Sequence, residues 1–308
     1  MGHDDSELWA VWALLSKPRG DGGEYRVLAC SEGPTAYGMF DALVRRTLFG
    51  TPPQWMGAGA PGEGLPWISF GAFGESDLPR RHLSISITHW SRPSESYWDS
   101  SGRRLAETRF FAVPYEELAR TGLGLTGLWH AVRPVELPPD DGESRLALPA
   151  GPDPLPDVAE LLDDELGFDW AAAAAAAALE RPLALVPRSS RFALTRLATI
   201  DAVAWLLPYG CRAGLTAATW APEPGPSTPW LCYTHSDLAD ERVRVFESEP
   251  PEVSSRTGRA HLARLRLLRQ ELGTLGMLRE LAADKRPARL GGRARRDAPG
   301  RAAQGRGR

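Results

Sequence analysis

The 308-residue chain contains no asparagine, and its only lysines are Lys17 and Lys285. Nearly all of its positive charge is therefore arginine, which fits a high-GC coding sequence and strips arginine abundance of functional weight. Cysteine is scarce as well. The three at Cys30, Cys211 and Cys232 cannot form a disulfide framework, and their odd number fits a reducing compartment. The first residues carry Asp4, Asp5 and Glu7 rather than the basic region of a secretory leader. The longest apolar run, Trp170 to Leu179, is far short of the ~20 residues a membrane helix needs. Together these absences predict a cytoplasmic chain that makes no use of a membrane.

Several catalytic motifs are missing too. There is no G-x-x-x-x-G-K-[ST], and neither lysine sits in a glycine-rich loop, which argues against a phosphate-loop nucleotide site. There is no G-x-S-x-G and no H-E-x-x-H. Gly57-Ala58-Gly59-Ala60-Pro61-Gly62 matches G-x-G-x-x-G in letters only. A dinucleotide fingerprint needs a strand before it and a helix after it, whereas here a Pro-containing loop precedes and a strand follows. His82 and His89 fall on opposite faces of one strand and cannot serve one metal or one substrate. Cys232 and His235, with Cys211 nearby, give three candidate ligands where a structural zinc takes four. Cys30 lacks a base or an electropositive setting in its sequence surroundings, so a buried thiol is expected. No cofactor and no metal is predicted.

What is present is an ordinary globular composition, 43% hydrophobic and 24% charged, long enough for about two domains. The first, 6–137, reads as an α+β domain with a mostly antiparallel sheet. Leu8 to Leu15 and Tyr25 to Cys30 form a long-looped hairpin, Thr35 to Leu48 a helix, and Pro66 to Phe73 a strand. Leu83 to Trp90 alternates with period two, which predicts one buried and one wet face. Leu105 to Val113 is a strand that leads into a short helix at Pro114. Residues 138–156, within a stretch of seven prolines from Pro134 to Pro156, read as a linker.

The second domain, 157–249, reads as α/β. Asp157 and Glu160 resemble a capping box, and Asp169 is placed to cap a helix containing the eight alanines Ala171 to Ala178. Leu183-Ala184-Leu185-Val186, a polar loop, the apolar helical stretch Leu194 to Leu207 and the strand Leu215 to Trp220 make a βαβ unit with parallel pairing. Trp230 to Thr234 and Arg242 to Phe246 add two strands. In the polar loop, Arg188, Ser189, Ser190 and Arg191 suit an anion at a helix N-terminus beyond a strand's carboxyl end. An ordinary solvated loop is the competing reading.

After Pro250-Pro251, residues 256–284 form an amphipathic helix. Leu262, Leu265, Leu268, Leu272, Leu275, Leu278 and Leu281 recur every three or four positions, interrupted by Gly273 and Gly276. Such a stripe needs a cover: the chain's own body, a second copy, or a partner. Residues 285–308 read as a disordered basic tail. Residues 256–308 hold 15 basic and 4 acidic residues, a net +11, against −14 for the rest. An acidic body with a basic end invites self-association or an acidic partner.

Leu206-Leu207-Pro208-Tyr209-Gly210-Cys211-Arg212, with Leu215-Thr216 and Thr219-Trp220, resembles the middle domain of the GTPase-associated adaptor proteins of bacterial, actinobacterial-type conflict systems. Tyr25 to Ser31, Gly102-Arg103 and Thr108 to Tyr115 resemble the N-terminal domain of the same family. The resemblance implies a non-enzymatic adaptor or scaffold with a protein partner, a GTPase. Two readings compete with it. One is nucleic-acid association through the basic tail; the other is an enzyme or binder acting on a phosphorylated ligand at 188–191. From the missing phosphate loop, titration calorimetry of the purified chain with GTP and ATP is expected to show no micromolar binding to either.

Overall fold

Leu8 to Leu15 is apolar on both strand faces because both faces are covered. Leu8, Ala10 and Trp12 enter one core, while Val11, Ala13 and Leu15 enter another on the opposite side of the sheet. The computed structural model describes residues 7–18, 24–49, 65–74, 77–78, 80–90, 105–138, 145–187, 193–221, 229–234 and 243–291. Among these, ten strands form one mixed sheet. Its antiparallel half comprises β1 (Glu7–Ser16), β2 (Arg26–Cys30), β3 (Trp67–Phe73), β4 (His82–Trp90), β5 (Ala106–Pro114) and β6 (Leu146–Pro149). Its parallel part comprises β7 (Leu183–Val186), β8 (Ala217–Ala218), β9 (Leu231–Tyr233) and β10 (Val243–Phe246). The order is β10-β7-β9-β8-β3-β4-β5-β1-β2, with β6 on the leading half of β1.

The fold is thus mixed α+β, antiparallel first and parallel later, as the sequence indicates. The βαβ reading also holds in direction: β7 and β8 both run parallel to β9, which lies between them. The strand expected over Leu215 to Trp220 shrinks to Ala217–Ala218, because β9 and β3 pair with only those residues.

The two halves are not separate units. β8 pairs antiparallel with β3, at Ser69 with Ala218 and Phe70 with Ala217. Trp12, Ile85 and Phe111 share one core cluster with Leu185, Ile200 and Tyr233. The expected linker 138–156 contains β6, whose Leu148 is buried, and it runs into α4 (Leu155–Glu160). Pro149 ends β6 and Pro154 precedes α4, while residues 139–144 lie outside the described residues.

The expected wet face of β4 is buried too. Ser84, Ser86 and Thr88 lie inside, where the Thr47 and Ser86 hydroxyls meet at 2.6 Å and Ser69 donates to the Thr47 carbonyl. Helix α1 (Tyr37–Arg45) covers this side with Phe40, Leu43 and Val44. Alternation on β4 therefore separates an aliphatic core from a hydroxyl-lined one, not protein from water.

On the other face lie α2 (Tyr115–Thr121), α3 (Leu125–Val132), α4, α5 (Phe168–Ala178), α6 (Ala193–Trp205) and α7 (Arg256–Ala283). The capping-box reading fails, because α4 starts at Leu155 and leaves Asp157 in its first turn; Asp153 accepts from the Leu155 amide. A π turn, Leu161–Leu166, follows α4, and Gly167 at φ +86° then opens α5. Asp169 lies inside that first turn and turns outward to Arg266. All eight alanines of α5 are buried, so neighbouring elements approach its backbone closely.

Helix α7 covers the range expected for it. Its leucine stripe docks on the chain's own core: Leu265, Leu278 and Leu281 are buried, and Leu262, Leu268 and Leu275 pack partly buried against them. Met277, absent from the predicted stripe, is buried as well. Gly273 adopts φ +71° and kinks the helix. Lys285 to Gly291, expected within the disordered tail, lies against the body through Ala288 and Leu290. Residues 292–308 lie outside the described residues.

Two stability predictions follow from this packing. Leu265→Ala should cost about 2–5 kcal/mol in denaturant melts, whereas Leu272→Ala should fall within about 0.5 kcal/mol. Gly273→Ala meets no atom within 4 Å, so any cost comes from the positive φ alone. About 1–3 kcal/mol is expected there, because positive φ with extended ψ is a region nearly confined to glycine.

Candidate functional site

The outer face of α7 is the first candidate. Ser255 starts the helix, accepting from the Gly258 amide at 2.9 Å and donating to the Glu180 carboxylate. A Cβ on Gly258 would lie 2.7 Å from Val253 Cγ1 and 3.0 Å from the Ala176 carbonyl oxygen, so glycine permits this close approach. His261 Nε2 donates to the Leu206 carbonyl at 2.8 Å and ties α7 to the end of α6. With the inner face fixed, Arg256, Arg259, Arg264, Arg266 and Arg279 point outward among exposed residues. Leu267 and Leu272 are 54% and 51% exposed between them. Arg266 pairs with Asp169 at 3.1 Å and Arg269 with Asp163 at 2.8 Å, both in solvent and so worth little to stability. A shallow depression of about 420 Å³ lies beside the helix, lined by Pro250, Pro251, Val253, Arg259, Leu262 and Arg266.

The second candidate is buried. Helix α6 brings Arg196, Asp201 and Trp205 inside the fold. The Asp201 carboxylate accepts the Leu125 and Thr126 amides at 2.8 and 3.0 Å, capping α3 from a distant part of the chain. Gly124, just ahead of α3, must be glycine, because a Cβ there would lie 2.5 Å from Trp205 Nε1 and 2.7 Å from Asp201. The 3₁₀ segment Tyr209–Gly214 follows α6. Tyr209 donates to the Leu118 and Leu123 carbonyls, and Arg212 lies over the rings of Trp205 and Tyr209 at 4.1 and 4.4 Å.

Arg212 is 1% exposed, and none of its three guanidinium nitrogens has a hydrogen-bond partner. Burial pushes its pKa below the ordinary arginine value. A desolvated cation–π contact is worth about 2 kcal/mol, while an unpaired buried charge costs several kcal/mol after relaxation. The rings therefore do not fully offset the cost of this cation.

The remaining sequence candidates fall as follows. Arg188, Ser189, Ser190 and Arg191 lie outside the described residues, as do Gly57 to Gly62 and His235. Among the described residues no three His, Cys, Asp or Glu side chains converge as a metal-binding group. Nor is any helix among them long and apolar enough to cross a membrane. Burial raises the Cys211 thiol to about 11, and Cys30 Sγ donates to the Gly33 carbonyl. The leucines expected to meet a partner are engaged in the chain's own core, Leu272 excepted. Arg212 stood in the quoted motif without a role, and Arg196 and Asp201 were charges inside an otherwise apolar helix. That last pattern is the signal by which internal partners could have been sought.

No protein-family model matches the sequence, and no curated protein matches it.

The half-buried or buried histidines yield a pH prediction. Burial lowers the pKa of His82, His89 and His261 below that of an ordinary histidine. Their neutral forms bond to the carbonyls of Arg80, Glu107 and Leu206. The unfolded chain then binds more protons than the folded one below about pH 6.5. Stability should be full above that pH and decline as pH falls through the folded values. Thermal melts from pH 8 to pH 5 should show this decline, with a shallower slope in His261→Gln.

Proposed function

We propose that the chain is a non-enzymatic adaptor that offers the outer face of α7 to an acidic protein partner, a GTPase according to the family resemblance. The observation that carries this reading is the division of labour on α7. Its leucines are used internally, while arginines and two exposed leucines remain outward on a helix whose position is fixed. A rigid helix presenting an apolar centre within a basic rim suits protein recognition, because little side-chain order is lost on binding. The charge asymmetry of the sequence adds attraction toward an acidic surface.

The test is a charge reversal, Arg259→Glu with Arg264→Glu, and separately Leu267→Asp with Leu272→Asp. Both should leave the melting temperature within a few degrees of wild type and abolish co-purification of a GTPase encoded beside this chain. Salt-sensitive binding to duplex DNA that disappears with the arginines would replace this reading by the nucleic-acid one. Unchanged GTPase capture by both variants would refute α7 as the binding face.

A further inference from the structure

We propose that Arg212 anchors an oxyanion-binding site, for a carboxylate or a phosphate group, and that the segment Lys285 to Gly291 is its removable cover. This does not depend on what α7 binds.

The argument starts from an internal comparison. Two arginines are buried at opposite ends of the same unit, each stacked on two aromatic rings. Arg196 lies over Trp220 and Tyr233 and also donates to the Thr219 carbonyl. Arg212 lies over Trp205 and Tyr209, but its Nε, Nη1 and Nη2 have no acceptor. The fold thus supplies an acceptor to one and withholds it from the other. Trp205 Nε1, on a ring that Arg212 lies over, is a buried donor without a partner too. The nearby carboxylate, Asp201, is committed to the Leu125 and Thr126 amides. What collects here is a set of N–H donors around a planar cation, and a guanidinium has no acceptor of its own. The complementary ligand is small, anionic and rich in oxygen; carboxylate and phosphate match the guanidinium fork.

The segment Lys285 to Gly291 is held against residues that neighbour Arg212. Tyr115 donates to the Lys285 carbonyl at 2.9 Å, and the Ala288 amide donates to the Gly210 carbonyl at 2.9 Å. Both anchor residues belong to the surroundings of Arg212: Gly210 stands two positions before it, and Tyr115 is among the groups acting on its charge. The Gly291 amide donates to the Leu179 carbonyl and closes the far end. The cover's hydrogen bonds to the elements around Arg212 run through its own backbone, the Arg286 side chain is turned back to Asp284, and the Lys285, Arg286 and Arg289 side chains are exposed. Ala288 and Leu290 are its apolar contacts and are only partly buried, so the segment can leave at a lower cost than a buried element.

Gly210 gives a lever in the full-length chain. A Cβ there would come within 1.8 Å of the Arg286 carbonyl oxygen, so Gly210→Ala should lift the cover while leaving Arg212 in place. Wild type, Gly210→Ala and Arg212→Met would be melted in inorganic phosphate, in acetate, and in chloride at matched ionic strength. Phosphate or acetate should raise the wild-type melting temperature by about 2–4 °C over chloride at tenfold excess over the dissociation constant. Gly210→Ala should bind several-fold more tightly, and Arg212→Met should not respond. Which of the two anions acts distinguishes a phosphate from a carboxylate ligand. If Arg212→Met does not fold, Arg212→Lys decides, because the cation is retained but the planar fork is lost. A response weakened several-fold supports the site, and an unchanged one overturns it. No anion response beyond chloride in wild type and Gly210→Ala also overturns the proposal and leaves Arg212 a stacked structural residue.

Discussion

Helix α6 is enclosed, and that enclosure governs its surroundings. It contacts β3, β9, α3, α4, α5 and α7, so each polar group it carries must be satisfied by protein. Asp201 does this by capping α3, Arg196 by reaching the Thr219 carbonyl, and the Leu206 carbonyl by accepting from His261. These four bonds join α6 and its end to elements from the antiparallel half, the parallel part and the C-terminal helix. A helix that is apolar for most of its length, with a few charges, therefore acts as the hub of a one-piece fold. Trp205 Nε1 at its last residue and Arg212 just beyond it are where the pattern of internal satisfaction stops.

The C-terminal region completes the same arrangement from outside. Alanine at eight positions of α5 removes side-chain bulk, and glycine at 258 removes the last obstruction, so α7 lies close against α5. Gly273 then redirects the chain, and Met277, Leu278 and Leu281 bury the second segment. Beyond it, Lys285 to Gly291 returns along the 3₁₀ segment and reaches Trp230, which a Cβ on Gly291 would meet at 2.9 Å. Burying one side of α7 fixes what the other side offers to solvent.

Much of this was readable in the chain. β4 follows from period-two alternation, α5 from its alanines, α6 from an apolar stretch closed by Pro208, and α7 from leucines at helical spacing. The change from antiparallel to parallel pairing follows from the order of elements. Helix α3 and β6 were not readable. Leu125–Val132 is only eight residues long and is capped by a residue 76 positions away, while β6 exists only because β1 offers an edge.

By itself, the sequence determined the local periodicities, the absence of a phosphate loop and the separation of acidic from basic residues, because each is a property of neighbours along the chain. Whether a linker is a linker was decided by tertiary structure, since β8 had to meet β3 before two apparent domains became one sheet. Tertiary structure also decided which side of α7 stays outward, because the leucine stripe is equally suited to any apolar cover. It decided the state of Arg212 for the same reason: an arginine in a short turn looks solvated until the Trp205 and Tyr209 rings close against it.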